Sequence, residues 1–218
     1  MKKPRYTPLQ ISIHIFGWYP LAWLVVRGLT DNLTANPIQA ISQWTGYHAL
    51  LFLTLSLACT PLNTLFGWRE LLKRRRALGL YSFMYASLHM LSFVGLDYGF
   101  SLKFFTEGTA TKPYMLMGIT TFLILLPLAI TSFKWWMKRM GSGWKTLHKL
   151  VYLAGITAVI HFAWAKKGDL AGLSGDIIKP LIFALIVSIL LILRLPPVRR
   201  WASQLKQKTV SILKPKPV

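Results

Sequence analysis

Acidic residues and cysteine are scarce in this chain of 218 residues. It contains 6 Asp and Glu against 26 Lys and Arg, and its single cysteine is Cys59. One thiol cannot form an internal disulfide, a cysteine-only zinc site or an iron–sulfur cluster, so we expect Cys59 to be a small buried apolar residue. The chain also lacks a Walker loop and the motifs GxGxxG, HExxH and GxSxG. The familiar soluble enzyme classes are therefore not supported.

Charged residues of both signs make up only 15% of the chain, whereas 54% of it is hydrophobic. A soluble domain usually has about 25% charged residues. The net charge of +20 would fit a nucleic-acid-binding protein only if it formed a basic face on a soluble fold. The long apolar runs exclude that fold, so we predict no nucleic-acid partner.

Six apolar segments are each long enough to cross a hydrocarbon layer of about 30 Å as a helix. They lie at residues 9–26, 44–65, 78–98, 115–133, 147–165 and 177–195. We therefore predict an all-α integral membrane protein whose residues 1–218 form a single six-helix domain. The first segment has a basic flank but is long for a signal peptide and lacks a cleavage site, so we expect it to be retained. Pro20, Pro61 and Pro127 predict kinks within the segments rather than breaks.

The basic residues predict the orientation, because Lys and Arg concentrate in cytoplasmic loops. With the N-terminus in the cytoplasm, 20 of the 26 Lys and Arg fall on the inner side. The C-terminus is then cytoplasmic as well, and the basic inner surface would bind anionic lipid. The six remaining outer cations are Arg27, Lys103, Lys112, Lys166, Lys167 and Lys179.

Histidine is the titratable residue that the predicted spans contain. Carboxylates and lysines are nearly absent from their interiors, which argues against a proton pump or an ion-coupled transporter. Neutral imidazoles without carboxylates suit haem, since they ligate iron while the flat apolar macrocycle packs in the bundle core. The five histidines are His14, His48, His89, His148 and His161.

Depth within the membrane separates these histidines. His89 and His161 lie about 16 Å and 21 Å above the inner border on parallel helices, so together they could hold one haem. His148 lies at the inner rim, about 20 Å below His161 and roughly 140° around an ideal helix. A second haem with His14 as a candidate partner, a water ligand at His148, or no second haem all remain open. His14 and His48 lie near interfaces, where we expect structural hydrogen bonds.

Two stretches of the chain resemble a known family. They are TPLNTLFGWRELLKRRRALGLYSFMYASLH and LAITSFKWWMKRMGSGWKTLHKLVYLAGITAVIHFAW. Both resemble the MsrQ family, formerly YedZ, the haem-binding membrane subunits of the bacterial periplasmic methionine-sulfoxide reductase system. The element W-x-x-L-H-x-L-x-Y, followed by a second histidine, is shared with the ferric-reductase and NADPH-oxidase transmembrane domains. The similarity covers the second to fifth predicted helices closely.

The resemblance implies cofactors and site residues. It places haem iron ligands at His89, His148 and His161, with haem b as the cofactor and its number, one or two, left open. It also implies bound FMN, for which the sequence assigns no residues. Phe93 stands four residues after His89, where NADPH oxidases have another histidine. A fourth ligand for two haems is therefore missing or supplied differently.

The resemblance also implies a place in an electron-transfer system of the bacterial inner membrane. Electrons would come from the quinone pool or a cytosolic flavin reductase. They would pass to a periplasmic molybdopterin-containing subunit that reduces methionine sulfoxide and so repairs oxidised proteins. Only 23 residues follow Leu195, too few for a flavin or nucleotide domain, so we expect a separate donor.

We therefore expect a b-type cytochrome subunit that transfers electrons and catalyses no complete reaction itself. Two alternatives stay open. The chain could be the haem subunit of another oxidoreductase, such as a ferric reductase. It could also be a haem-free transporter or assembly factor whose histidines are structural.

Overall fold

The computed structural model describes residues 6–166, 168–169, 174–202 and 204. Most of this part is α-helical, and a short π-helix at Ser92–Asp97 continues the third helix. Two antiparallel strands of two residues each, β1 (Gly168–Asp169) and β2 (Ser174–Gly175), lie between the eighth and ninth helices. The helices are α1 (Pro8–Leu29), α2 (Pro37–Phe66), α3 (Arg69–Leu91), α4 (Leu102–Thr111), α5 (Pro113–Ile130), α6 (Lys134–Met140), α7 (Ser142–Leu147), α8 (Leu150–Ala165), α9 (Ile178–Ile192) and α10 (Pro196–Ala202).

Five helical segments are long and apolar enough to cross a membrane: α1, α2, α3 with its π-helical extension, α5, and α7 together with α8. The ninth helix has 15 residues, or about 22 Å at the rise of an α-helix, which is short of a 30 Å hydrocarbon layer. It is long and apolar enough to cross a membrane only together with α10, and the axes of these two helices are bent by 82° relative to each other. The prediction of a helical protein with multiple membrane spans is confirmed. The span count is five or six, and the orientation of the termini stays a prediction.

The first three helices begin before their apolar segments. The second helix begins at Pro37 instead of residue 44, because the Asn36 side chain accepts a hydrogen bond from the Gln39 amide (3.1 Å) and caps the first turn. It ends at Phe66, before Gly67, whose φ of 74° is left-handed. The third helix begins at Arg69 instead of residue 78 and includes the basic run. Hydropathy locates the apolar part of a helix, whereas caps locate its ends.

Proline does not break the helices, since α1, α2 and α5 continue through Pro20, Pro61 and Pro127, as predicted. Near Pro20 the Tyr85 hydroxyl donates to the Gly17 carbonyl (2.8 Å) and accepts from the Leu21 amide (3.1 Å). These two groups pair with each other in an uninterrupted helix. The Tyr85 hydroxyl is thus inserted into the hydrogen-bond ladder of α1 and ties α3 to it.

Two helical hairpins form the centre of the bundle. The second helix packs most extensively against α3, and α5 packs most extensively against α8. Buried Phe52 and Tyr85 belong to the core of the first hairpin, while Leu125 and Ala154 from the second pack with Leu53 of α2. Cys59 is buried and free, as expected. Outward-facing side chains are largely apolar, among them Ile15, Leu29, Leu123, Leu185 and Ile192.

Candidate functional site

His89 of α3 and His161 of α8 face each other inside the bundle. Their ring centroids are 5.9 Å apart and the ring planes are inclined by 67°. A metal–imidazole bond is about 2.0 Å long, so two imidazoles that bind one metal from opposite sides have centroids roughly 6 Å apart. The structure therefore brings together the pair that depth predicted, at the spacing of two axial ligands.

Backbone carbonyls orient both rings in the same way. Nδ1 of His89 lies 2.9 Å from the Ser42 carbonyl, and Nδ1 of His161 lies 2.7 Å from the Tyr114 carbonyl. A carbonyl oxygen can only accept, so in each ring Nδ1 carries the hydrogen. The lone pair is then on Nε2, the form of imidazole that binds a metal with its other nitrogen held by a second group.

Glycine makes room for each imidazole. A Cβ atom added at Gly46 would lie 3.1 Å from His89 Nδ1. One added at Gly118 would lie 2.8 Å from Cε1 and 2.9 Å from Nδ1 of His161. Each glycine follows the accepting carbonyl by four residues, about one helical turn. A carbonyl and a glycine one turn apart thus form a cradle for each ring.

The two cradles have the same spacing along the chain. In both, the histidine follows the accepting carbonyl by 47 residues. In both, the histidine also follows the glycine by 43 residues, from Gly46 to His89 and from Gly118 to His161. The hairpins α2–α3 and α5–α8 therefore present their histidines through equivalent contacts. This repeat was not predicted from the sequence, where its signal is a small motif, S-x-x-x-G or Y-x-x-x-G, at a fixed distance before each histidine.

A cavity of about 860 Å³ opens beside the paired histidines. Cavities of roughly 300–1,000 Å³ hold cofactor-sized ligands. Both imidazoles line the cavity, so each ring is deep in the bundle yet has a surface open to it. Most of the wall is apolar or small, including Leu50, Leu53, Ala86, Phe93, Ile119, Phe122 and Ala158. This lining suits a flat apolar macrocycle ligated through two histidines.

His148 lies elsewhere, half-buried in the turn between α7 and α8, and does not line the cavity. The Thr131 hydroxyl oxygen is 2.6 Å from the Pro127 carbonyl and 3.0 Å from His148 Nε2. Its single proton goes to the carbonyl, which can only accept, so in this arrangement His148 Nε2–H donates to Thr131. The Trp144 ring stacks on the imidazole at 4.1 Å. The structure thus separates His148 from the other two predicted haem ligands.

The helical segment that contains His148 has a turn at residues 148–149. An angle of 140° between His148 and His161 requires one ideal helix from residue 147. Instead α7 ends at Leu147, and α8 begins at Leu150. The angle of 140° between the two side chains therefore stays a prediction.

The two remaining histidines have structural hydrogen bonds, as expected. His14 Nδ1 lies 2.8 Å from the Tyr81 hydroxyl, and His48 Nδ1 donates to the Trp44 carbonyl at 2.8 Å. Neither of them lines the cavity. His14 bonds to Tyr81 in α3, whereas His148, its candidate partner for a second haem, bonds to Thr131 directly after α5. Among the described residues there is no group of three or more His, Cys, Asp or Glu that could hold a metal ion.

Comparison with known proteins agrees with this geometry. Residues 44–159 match the family model described as ferric reductase like transmembrane component. A protein from Herminiimonas arsenicoxydans, named protein-methionine-sulfoxide reductase heme-binding subunit MsrQ, is 37% identical over 206 residues, which cover 94% of this chain and 90% of that protein. Proteins of the same name from Rhodospirillum rubrum and Xanthomonas euvesicatoria are 39% and 41% identical, covering 88% and 82% of this chain and 89% and 78% of theirs. The chain belongs to the MsrQ family.

Membership confirms the family that two stretches of sequence predicted. The matched range of the transmembrane family model contains Gly46, His89, Gly118 and His148 and ends two residues before His161. Both cradle glycines and the accepting carbonyl of Tyr114 therefore lie in the matched part, whereas Ser42 lies two residues before it. The match to a transmembrane family and the apolar helices together identify a multi-pass membrane protein.

Proposed function

We propose that this chain is the haem-binding membrane subunit of a protein-methionine-sulfoxide reductase system. It is a b-type cytochrome in which His89 and His161 ligate one haem. The observation that carries the proposal is the pair of equivalent cradles, which leave the lone pair on Nε2 in two imidazoles that line one apolar cavity. The relatives named heme-binding subunit support the same cofactor.

The residues of this chain have defined roles in that proposal. The Ser42 and Tyr114 carbonyls fix ring orientation and increase the basicity of each imidazole. The apolar walls exclude water and hold the macrocycle. Bound haem iron supplies one-electron transfer. No nucleophile or acid–base pair is required of the protein, so we assign catalysis of sulfoxide reduction to a separate subunit.

Electrons enter from the quinone pool or a cytosolic flavin reductase and leave to a periplasmic molybdopterin-containing subunit. The position of the pair supports an outer exit, since His161 is four residues, or about 6 Å, before the end of α8. That end faces the periplasm when both termini are cytoplasmic and the protein lies in the bacterial inner membrane. The repair of oxidised periplasmic proteins is the process that such a subunit would serve.

His148 stays a candidate ligand of a second haem. The bond from Nε2 to Thr131 leaves Nδ1 with the lone pair, and Nδ1 is the atom available for a metal in this arrangement. The resemblance that implies this ligand also implies FMN. Bound FMN stays a prediction to which we assign no residues.

The decisive experiment is an absorption spectrum of the purified protein, oxidised and reduced, with haem counted per chain. A low-spin b-type spectrum that is lost in His89→Ala and His161→Ala, and kept in His48→Ala, is expected. Full haem content in both of the first two variants would overturn the assignment. A featureless spectrum from protein made with ample haem would instead favour a haem-free transporter or assembly factor.

The match to a ferric-reductase-like family makes an iron-reducing haem subunit the second candidate. The two candidates differ in the electron acceptor. Reduced protein should be reoxidised by the periplasmic methionine-sulfoxide reductase subunit and only slowly by a ferric chelate. The opposite preference would favour the second candidate.

A further inference from the structure

The charged side chains that line the cavity are all cations. Within the described part of the chain they are Arg27 in the last turn of α1, Lys166 directly after α8, and Lys179 in the first turn of α9. All three belong to the six cations predicted on the outer side. They therefore cluster at the outer end of a cavity that is otherwise mostly apolar.

One carboxylate partly balances this cluster. Asp176 forms an ion pair with Lys166 and is also attracted by Lys179. The hydrogen bond from Lys166 lowers the pKa of the Asp176 carboxyl, so Asp176 is ionised at neutral pH. Arg27 stacks on the Trp23 ring, with its guanidinium carbon 4.9 Å from the ring centroid. These three cations and Asp176 together carry a net charge of +2.

Arg27 and Lys166 are half-buried and Lys179 is exposed, and a cation that borders an apolar cavity is stabilised when an anion pairs with it. The polar residues Asn32 and Gln43 also line the cavity and can donate hydrogen bonds. Two negative charges entering from the cavity would neutralise the cluster. Haem carries two such charges, the propionate carboxylates, on one edge of an otherwise apolar ring.

We propose that Arg27, Lys166 and Lys179 form the subsite for the haem propionates, an inference that rests on the proposed function. Lys166 follows His161 by five residues, or about 7.5 Å along the helix axis, so the cations and the axial ligand border one cofactor-sized space. The apolar side chains of Leu53 and Leu125 also line the cavity and receive the opposite, uncharged edge.

This subsite orients the cofactor and tunes its potential. It turns the carboxylate edge toward the outer surface, where the proposed acceptor docks. Nearby cations stabilise the reduced form relative to the oxidised form, because reduction adds an electron to the haem. The cation cluster therefore raises the midpoint potential as well as holding the ligand.

The test compares Arg27→Gln and Lys179→Gln with Lys103→Gln in the purified haem-loaded protein. Lys103 is an exposed cation of α4 that does not line the cavity, so it is the matched control. Three quantities are measured: the propionate bands in resonance Raman spectra, the midpoint potential, and the rate of haem transfer to excess apomyoglobin. We expect each cavity variant to shift the propionate bands, lower the potential and release haem about tenfold faster, as for a lost charge-assisted hydrogen bond.

Charge-conserving variants separate a lost charge from a damaged fold. Arg27→Lys and Lys179→Arg should restore the potential and the release rate. The proposal is overturned if both glutamine variants behave like Lys103→Gln, or if neither conservative variant restores what was lost. If the proposed haem-binding function were wrong, the unmodified protein itself would show no low-spin haem spectrum. That result is distinct from a failure of the propionate subsite alone.

Discussion

Gly118 lies so close to His161 that a Cβ atom at this position would be 2.8 Å from Cε1 of the imidazole. Gly46 has the same relationship to His89, with its closest approach at 3.1 Å. Contacts below 3.0 Å are not tolerated by packed atoms, so a side chain at Gly118 must displace the ring. The glycines therefore control where the two Nε2 atoms lie.

Alanine at Gly118 should damage haem binding more than alanine at Gly46. We expect Gly118→Ala to lose most of its low-spin haem and Gly46→Ala to keep a larger share, since its contact is looser. Haem per chain and the low-spin absorption bands measure this. Gly28→Ala is the control, because its added Cβ meets only Leu33 at 3.8 Å. A fully loaded Gly118→Ala protein with an unchanged spectrum would contradict the cradle.

His148→Ala should leave the haem between His89 and His161 intact. The structure bonds His148 to Thr131 and Trp144 stacks on it, outside the cavity that the other two histidines line. We expect an unchanged low-spin spectrum and midpoint potential for that haem. The number of haems per chain decides whether His148 binds a second haem: a fall of one haem per chain in the variant would show that it does. Loss of the first haem's spectrum would contradict the separation seen here.

Tyr85→Phe should destabilise the protein without removing haem. The hydroxyl bridges the Gly17 carbonyl and the Leu21 amide, and the side chain is fully buried. Without the hydroxyl, the Gly17 carbonyl and the Leu21 amide lose their partner and must form a hydrogen bond with each other. We expect the free energy of unfolding to fall by about 1 kcal/mol. Thermal unfolding in detergent measures the change. Thr106→Val, which removes an exposed hydroxyl of α4 bonded only within its own helix, is the control and should have little effect.

Hydropathy predicted the helices, and depth within the membrane predicted the histidine pair. Both properties can be read from the order of residues along the chain. The cradles depend on contacts between residues that are 47 positions apart in the chain, and no local sequence pattern predicts such contacts. The turn at His148 interrupts an apolar segment that reads as one continuous helix. Arg194 is one of the predicted inner cations, and in the structure its guanidinium donates to the Leu57 carbonyl (2.6 Å) and the Tyr152 hydroxyl (2.9 Å). Such tertiary bonds are not readable from sequence periodicity.

Those bonds of Arg194 bear on whether α9 crosses the membrane. The helix is short, yet Lys179 in its first turn lines the outer end of the cavity, while Arg194, two residues after its last, bonds to α2 and to the start of α8. The start of α8 is its inner end in the predicted topology. In the predicted topology the ninth helix would therefore run from the outer to the inner end of the bundle, with the 82° bend turning α10 away from that direction.

Cysteine labelling in intact cells tests this sixth crossing. In a Cys59→Ala background, which removes the only native thiol, we expect an impermeant maleimide to label Lys103→Cys from outside. Lys138→Cys and Arg199→Cys should react only after permeabilisation, because both then lie on the cytoplasmic side. All three positions are exposed, so a lack of labelling reports sidedness rather than burial. Labelling of Arg199→Cys in intact cells, with Lys138→Cys still protected, would show that α9 does not cross and that the protein has five spans.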